Sequence, residues 1–322
     1  MYEVIKNFEK QFLYEPEIEN KKALVRKSSI VVVGMGGSAL APKLLKTWDP
    51  GLDITVYSDY GLPKISKEEL KNKLIILSSY SGNTEEVTEA FKEVKAQNLN
   101  MAVISTGGTL LALAIENKVP YIKLPDTGIQ PRSALGFSVK AFLKIIGKED
   151  ELKNITKLAT SLKPIDYEKA GKSLALAMKD YIPVIYSSSR NFSVAYNWKI
   201  KLNETGKIPA FYNVLPELNH NEMNGFDVKD STKELDSKFY FIVLKDSDDN
   251  PKILKRMKIL EKLYKDRKFP VQSLDIKGKD MWHKIFSSLV LADWVAYYTA
   301  TQYGLESEQV PMVEEFKKLI SR

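Results

Sequence analysis

Short apolar runs of strand length alternate along this chain with segments whose apolar residues recur at helical spacing. That alternation constrains the fold more than any other property of the sequence. The first half reads as strands at Ser29–Gly34, Ile54–Tyr57, Leu74–Ser78, Ala102–Ser105 and Val119–Leu124. Helices are predicted from Ala39 onward and over Thr84–Gln97, Thr109–Glu116 and Ser133–Ile146. The polar stretch Gly147–Asn154 interrupts the pattern and is expected to be a linker. The second half restarts with helix Tyr167–Lys179, strand Pro183–Ser187, helix Phe192–Thr205, strand Phe239–Leu244, helix Pro251–Lys268, strand Val271–Leu274, a long helix Asp280–Tyr303 and a short one at Pro311–Ile320. Strands alternating with helices of this size imply parallel sheets covered on both faces. The expectation is an α/β protein of two three-layer αβα domains, residues 1–150 with an N-terminal helical extension and residues 151–322. At 322 residues the chain is long enough for two such cores. The two halves share a form, an apolar strand running into small residues before a helix (VVVGMGGS, then VIYSSS), though the echo is too short to prove duplication.

Composition removes several chemistries. The chain has no cysteine and two histidines, so a disulfide framework, a thiolate nucleophile, an iron–sulfur cluster and a three-histidine metal site are all excluded. Chemistry must rest on carboxylates, hydroxyls, lysine, arginine or the two imidazoles. The net charge is +7, but only six of the 48 basic residues are arginine. The lysines at 252, 255, 258, 262, 265 and 268 alternate with Ile253, Leu254, Met257, Leu260 and Leu263, as on a solvated helix whose other face is packed. There is no basic tail, arginine–glycine tract or reading-helix motif, so nucleic-acid binding is not expected. The abundance of charge without cysteine suits a protein from a hot environment. The N-terminal segment lacks a signal-peptide pattern, and runs such as Phe239–Leu244 are too short to span a bilayer. The expectation is a cytoplasmic protein with no membrane contact.

Four motifs carry candidate chemistry, the first two where strands end and helices begin, the places where open parallel sheets bind ligands. Gly34–Ser38 (GMGGS) follows the first strand; its glycines let the backbone approach an anion, but it lacks the GxGxxG and P-loop spacings and fits a bare tight turn equally well. Ser78–Glu86 (SSYSGNTEE) offers hydroxyls at Ser79, Ser81 and Thr84, a glycine and a helix start, a phosphate cradle that needs no lysine. Its alternative is a capping box from Asn83 to Glu86, which accounts for one polar side chain and not for three hydroxyls. Gln130–Ser133 (QPRS) fixes Arg132 beside a proline before a helix, suited either to an anion or to a surface ion pair. Finally, Asn203–Lys207 (NETGK) and Pro216–Glu222 (PELNHNE) carry Glu204 and His220, a carboxylate and an imidazole able to move protons. Glu204 could equally be a surface charge and His220 a satisfied loop histidine. His283, among Met281, Trp282 and Ile285, reads as structural.

On these motifs the sequence resembles the archaeal bifunctional phosphoglucose/phosphomannose isomerases, members of the phosphoglucose isomerase superfamily built from two sugar-isomerase (SIS) domains. The resemblance covers nearly the whole chain. It rests on GMGGS at 34–38, SYSGNTEE at 79–86 (with Ser79 read as its first hydroxyl), PRSALGF at 131–137, NETGK at 203–207, ELNHNE at 217–222 and the segment Pro311–Lys317. It implies that Gly36, Gly37 and Ser38 lie along a sugar and that Ser79, Ser81 and Thr84 hold its 6-phosphate. Glu204 would shuttle a proton between C1 and C2, and Arg132 would stabilise the enediolate oxygens. His220 and Lys317 would assist ring opening and position hydroxyls. It further implies a homodimer with His220 supplied across the interface, no metal and no cofactor, and interconversion of glucose 6-phosphate and fructose 6-phosphate with mannose 6-phosphate as a second substrate. One position departs: before the terminal proline the mannose-accepting members carry threonine, and this chain has Val310. The volume is kept and the hydroxyl is lost. SIS domains also serve as non-catalytic sugar-phosphate sensors, but such a regulator would not need Glu204, His220 and Lys317 together.

Overall fold

The computed structural model describes residues 1–320 and contains two parallel sheets flanked by helices. The first compact unit is residues 7–162; the second is residues 163 onward together with residues 1–6. The predicted linker is not one. Gly147 caps the preceding helix in the left-handed region, and Glu149–Thr156 forms a further helix of the first unit whose Leu152 and Ile155 are buried. Its acidic first turn, Glu149–Asp150–Glu151, complements a helix N-terminus, which is why a segment that looks polar is ordered.

In the first unit, strands β1 (Ser29–Gly34), β2 (Asp53–Tyr57), β3 (Lys73–Ser78), β4 (Met101–Ser105) and β5 (Tyr121–Lys123) form a sheet in the order β2-β1-β3-β4-β5, all parallel. β5 is shorter than the apolar run suggests because Pro120 and Pro125 bracket it. Successive strand residues point to opposite faces. Val31, Val33, Ile75, Leu77 and Val103 therefore pack against Val87, Ala90, Phe91 and Val94 of helix Glu85–Ala96 and Leu110 and Ala114 of helix Gly108–Glu116. The helices Leu40–Trp48 and Leu135–Ile146 contact each other as well as β2 and β4 respectively, completing the second layer.

The second unit repeats the plan with strands β6 (Ile182–Ser188), β7 (Phe211–Leu215), β8 (Phe239–Lys245) and β9 (Val271–Asp275) in the order β7-β6-β8-β9, all parallel. Strand β7 is not apparent from the sequence. It is an edge strand whose first two residues, Phe211 and Tyr212, are exposed, so no buried apolar run marks it. One face packs Val184, Tyr186, Phe241 and Val243 against Met257, Leu260 and Tyr264 of helix Pro251–Asp266. Helix Phe192–Glu204 contacts β6 and the long helix Met281–Gln302, where the buried pair Lys201–Asp293 is closed at 2.6 Å. Among the described residues no helix is long and apolar enough to cross a membrane.

Candidate functional site

The sheet order decides which loops meet. In the first unit the chain leaves β1 toward β2 on one side and reaches β3 on the other, so the crevice at the carboxyl ends of β1 and β3 is the topological switch point. The two motifs read as anion sites follow these two strands and are joined by Ser38: its hydroxyl accepts from Tyr80 N at 2.8 Å, and its carbonyl accepts from Ser78 Oγ at 3.4 Å. Gly36 holds a positive φ of 47° and is exposed. A Cβ on Gly37 would stand 2.6 Å from Pro131 Cβ and 2.9 Å from Arg132 N, so only glycine lets the Arg132 turn approach this closely. Gly36, Gly37, Ser38 and Arg132 are thereby brought to one place.

The loop after β3 is built from its own hydroxyls. Ser79 Oγ lies 2.7 Å from Thr84 Oγ1 and accepts from Gly82 N at 3.1 Å, while Ser81 Oγ accepts from Asn83 N at 3.3 Å. The capping box is absent. The N-cap of helix Glu85–Ala96 is Thr84, with no side-chain cap bond, and Asn83 turns its Oδ1 to Thr109 N and Oγ1 at 3.0 and 3.2 Å. A helix start left without a side-chain cap keeps amide donors for an anion. Ser81 is exposed and Thr84 half-buried, whereas Ser79 is fully buried and organises the loop from beneath. Glu85 is exposed, as a neighbouring phosphate would require.

Arg132 lies in the turn Pro131–Ser133 and is 1% exposed, not a surface ion-pairing residue. A residue outside every motif fixes this turn: Gln11, buried, donates from Nε2 to Ser133 O at 2.7 Å and accepts at Oε1 from Gly136 N at 2.9 Å. Its spacing of more than 120 residues from the turn leaves no local signal.

In the second unit Glu204 is the last residue of helix Phe192–Glu204 and is half-buried. Lys207, with φ 61°, donates to the Glu204 carbonyl at 2.6 Å and to the Gln309 carbonyl, tying the helix end to the segment that holds Val310. Val310 is half-buried and its carbonyl accepts from Val313 N and Glu314 N at the start of helix Pro311–Ile320. Lys317 stands on this helix, exposed and paired with Glu314 at 2.7 Å. His220 lies in the loop after β7, exposed and without a hydrogen bond among the described residues. No hydrogen bond among the described residues joins it to Glu204 or Lys317.

The second sheet has its own switch point between β6 and β8, but its crevice is closed. Lys284 pairs with Asp246 at 2.6 Å and Asp248 at 2.8 Å, and Ser188 Oγ donates to Asp249 Oδ1 at 2.6 Å. Asn191 Nδ2 adds bonds of 3.3 Å to Asp246 and Asp249. A phosphate would meet two buried carboxylates there. The echo between VVVGMGGS and VIYSSS is one of form, not of binding chemistry.

A family model described as the bacterial phospho-glucose isomerase C-terminal SIS domain matches residues 167–320. The chain is 31% identical over 333 residues to a bifunctional phosphoglucose/phosphomannose isomerase of Aquifex aeolicus, covering 100% of this chain and 98% of that one. It is also 31% identical to the protein of the same name from Caldicellulosiruptor bescii, covering 100% and 99%. Among solved structures, the C-terminal domain of a glucosamine-fructose-6-phosphate aminotransferase from Francisella tularensis superimposes with a TM-score of 0.67 at 16% identity, covering 96% of each chain, which shows a shared fold.

Proposed function

Since the chain belongs to the family of bifunctional phosphoglucose/phosphomannose isomerases, we propose that it interconverts glucose 6-phosphate and fructose 6-phosphate through a cis-enediolate, with mannose 6-phosphate as a second substrate and without a metal. The observation that carries this reading is the joining of the β1 and β3 loops at the switch point, with reachable hydroxyls on Ser81 and Thr84 beside an uncapped helix start. That arrangement suits a dianionic phosphate. Gly36, Gly37 and Ser38 line the sugar. Glu204 takes the proton from C2 of the aldose and returns it to C1, while the C2 hydroxyl proton passes from O2 to O1; an enediolate forms between these steps as the carbonyl oxygen gains charge, and the Arg132 guanidinium balances it. His220 and Lys317 open the ring and hold hydroxyls. An imidazole that is exposed suits delivery to a second copy, which supports reading the active form as a homodimer.

The decisive measurement is a coupled isomerase assay on both aldose phosphates with EDTA present. Turnover of neither substrate would sink the reading, and turnover abolished by EDTA would sink its metal independence. Ser81→Ala and Thr84→Val should each raise KM about tenfold with kcat within twofold, as the loss of about one charge-assisted hydrogen bond requires. A pure kcat effect would remove both residues from the phosphate site. Ser79→Ala should in addition lower Tm, because the buried hydroxyl contact to Thr84 Oγ1 and one of the two acceptors of the Gly82 amide are lost. Val310→Thr restores the hydroxyl at equal volume and is expected to raise the ratio of mannose to glucose activity. An unchanged ratio means that the hydroxyl plays no part in choosing the epimer.

A further inference from the structure

Two residues beyond His220, Glu222 turns inward. Its Oε1 accepts from Tyr186 Oη at 2.5 Å and its Oε2 from Asn213 Nδ2 at 2.5 Å. Tyr186 belongs to β6 and is fully buried, its ring against Phe241 and Tyr264; Asn213 belongs to β7. Burial, then the neighbouring Tyr264 and the Glu222 charge, push the Tyr186 phenol up from its ordinary value, so it stays protonated and donates. The loop backbone is locked to the same point. Asn221 Oδ1 accepts from Glu222 N at 2.6 Å, and Asn221 Nδ2 donates to Glu217 Oε1 at 2.9 Å. The loop therefore has one side chain anchored at both carboxylate oxygens and, two positions away, an imidazole left exposed.

A loop that only had to cover this aromatic cluster would do so at lower cost with an apolar side chain, as Met223 and Phe226 already do. Partly burying a carboxylate is unfavourable unless its hydrogen bonds are made. Two bonds from two different strands resist rotation as well as displacement, which apolar packing does not. We propose that Glu222 is a positioning residue that, through Tyr186 and Asn213, fixes the His220 imidazole where the sugar ring is opened. This rests on the role of His220 given above.

A double-mutant cycle tests it on the cyclic hexose 6-phosphate. His220→Ala and Glu222→Ala should each lower kcat at least tenfold with KM within about twofold. The double variant should then be within about twofold of His220→Ala, because a residue that acts through another adds nothing once that other is gone. Glu222→Gln should recover most of the activity, since its carbonyl still accepts from Asn213 and its amide can donate to Tyr186 Oη. Losses that multiply in the double variant, or a Glu222→Ala enzyme with wild-type kcat, overturn the inference. If Glu222→Ala does not fold, Tyr186→Phe removes one of the two anchors and is read in the same cycle. With two histidines in the chain, the imidazole Cε1–H region of the proton spectrum holds two signals. Glu222→Ala should shift or broaden that of His220 and leave that of His283, and an unmoved His220 signal overturns the inference whether or not the enzyme turns over. A wild-type protein without isomerase activity whose His220 signal moves instead counts against the isomerase reading and leaves the positioning of His220 intact.

Discussion

Glu204→Gln is expected to bind sugar phosphate as the unaltered protein does and to lose about two to four orders of magnitude in kcat, the span that a positioned general base contributes. The amide matches the carboxylate in size and hydrogen-bonding reach but cannot accept a proton from carbon. The change is local. Glu204 closes its helix, and the lysine bond that fixes this end is made to its backbone carbonyl, which the substitution leaves in place. KM should stay within a few-fold, because the proposed phosphate site uses Ser81 and Thr84 and not Glu204. Exchange of the C2 hydrogen with deuterated solvent supplies a second readout, and should fall in step with turnover. A variant keeping a tenth or more of its kcat would take the role of base away from Glu204.

What could be read in the sequence divides along physical lines. The strand Ser29–Gly34 is found at its expected bounds because all of its residues after the first are buried and a glycine ends it. The edge strand Phe211–Leu215 escaped because exposure at its start erases the pattern. The hydroxyl-rich motif after β3 is legible as residue types. That it faces the glycine turn after β1 depends on the strand order β2-β1-β3, a property of pairing between distant segments that no local window contains. The same limit hid Gln11 and the bond that Asn83 accepts from Thr109, which leaves an open helix start in place of the alternative capping box. In the second half the small residues ending β6 echo the first strand in form, and the carboxylates Asp246 and Asp249 following β8 occupy the corresponding place. Glu222 stood in a motif already singled out for its histidine, yet its partners lie on β6 and β7, so nothing in its spacing announced an anchor.

Arg132→Lys keeps the charge and should still cost about a hundredfold or more in kcat, comparable to removing one oxyanion donor. The argument is geometric. The turn that carries Arg132 is fixed on both sides, by Gln11 bridging Ser133 O and Gly136 N and by the Gly37 backbone, against which no Cβ would fit. The guanidinium therefore leaves a backbone that cannot shift to compensate. A lysine ammonium presents a point charge on a flexible stem where the planar fork would have offered two parallel donors to the adjacent oxygens of a cis-enediolate. Because the charge on these oxygens grows only as the proton leaves carbon, the loss should fall on kcat and spare KM. Arg132 is almost wholly buried, so a melting curve must accompany the kinetics to show that the variant remains folded at the assay temperature. A folded Arg132→Lys enzyme with full turnover would mean that charge alone suffices at this position. A loss confined to KM would place the guanidinium on the ground-state sugar instead of on the developing oxyanion.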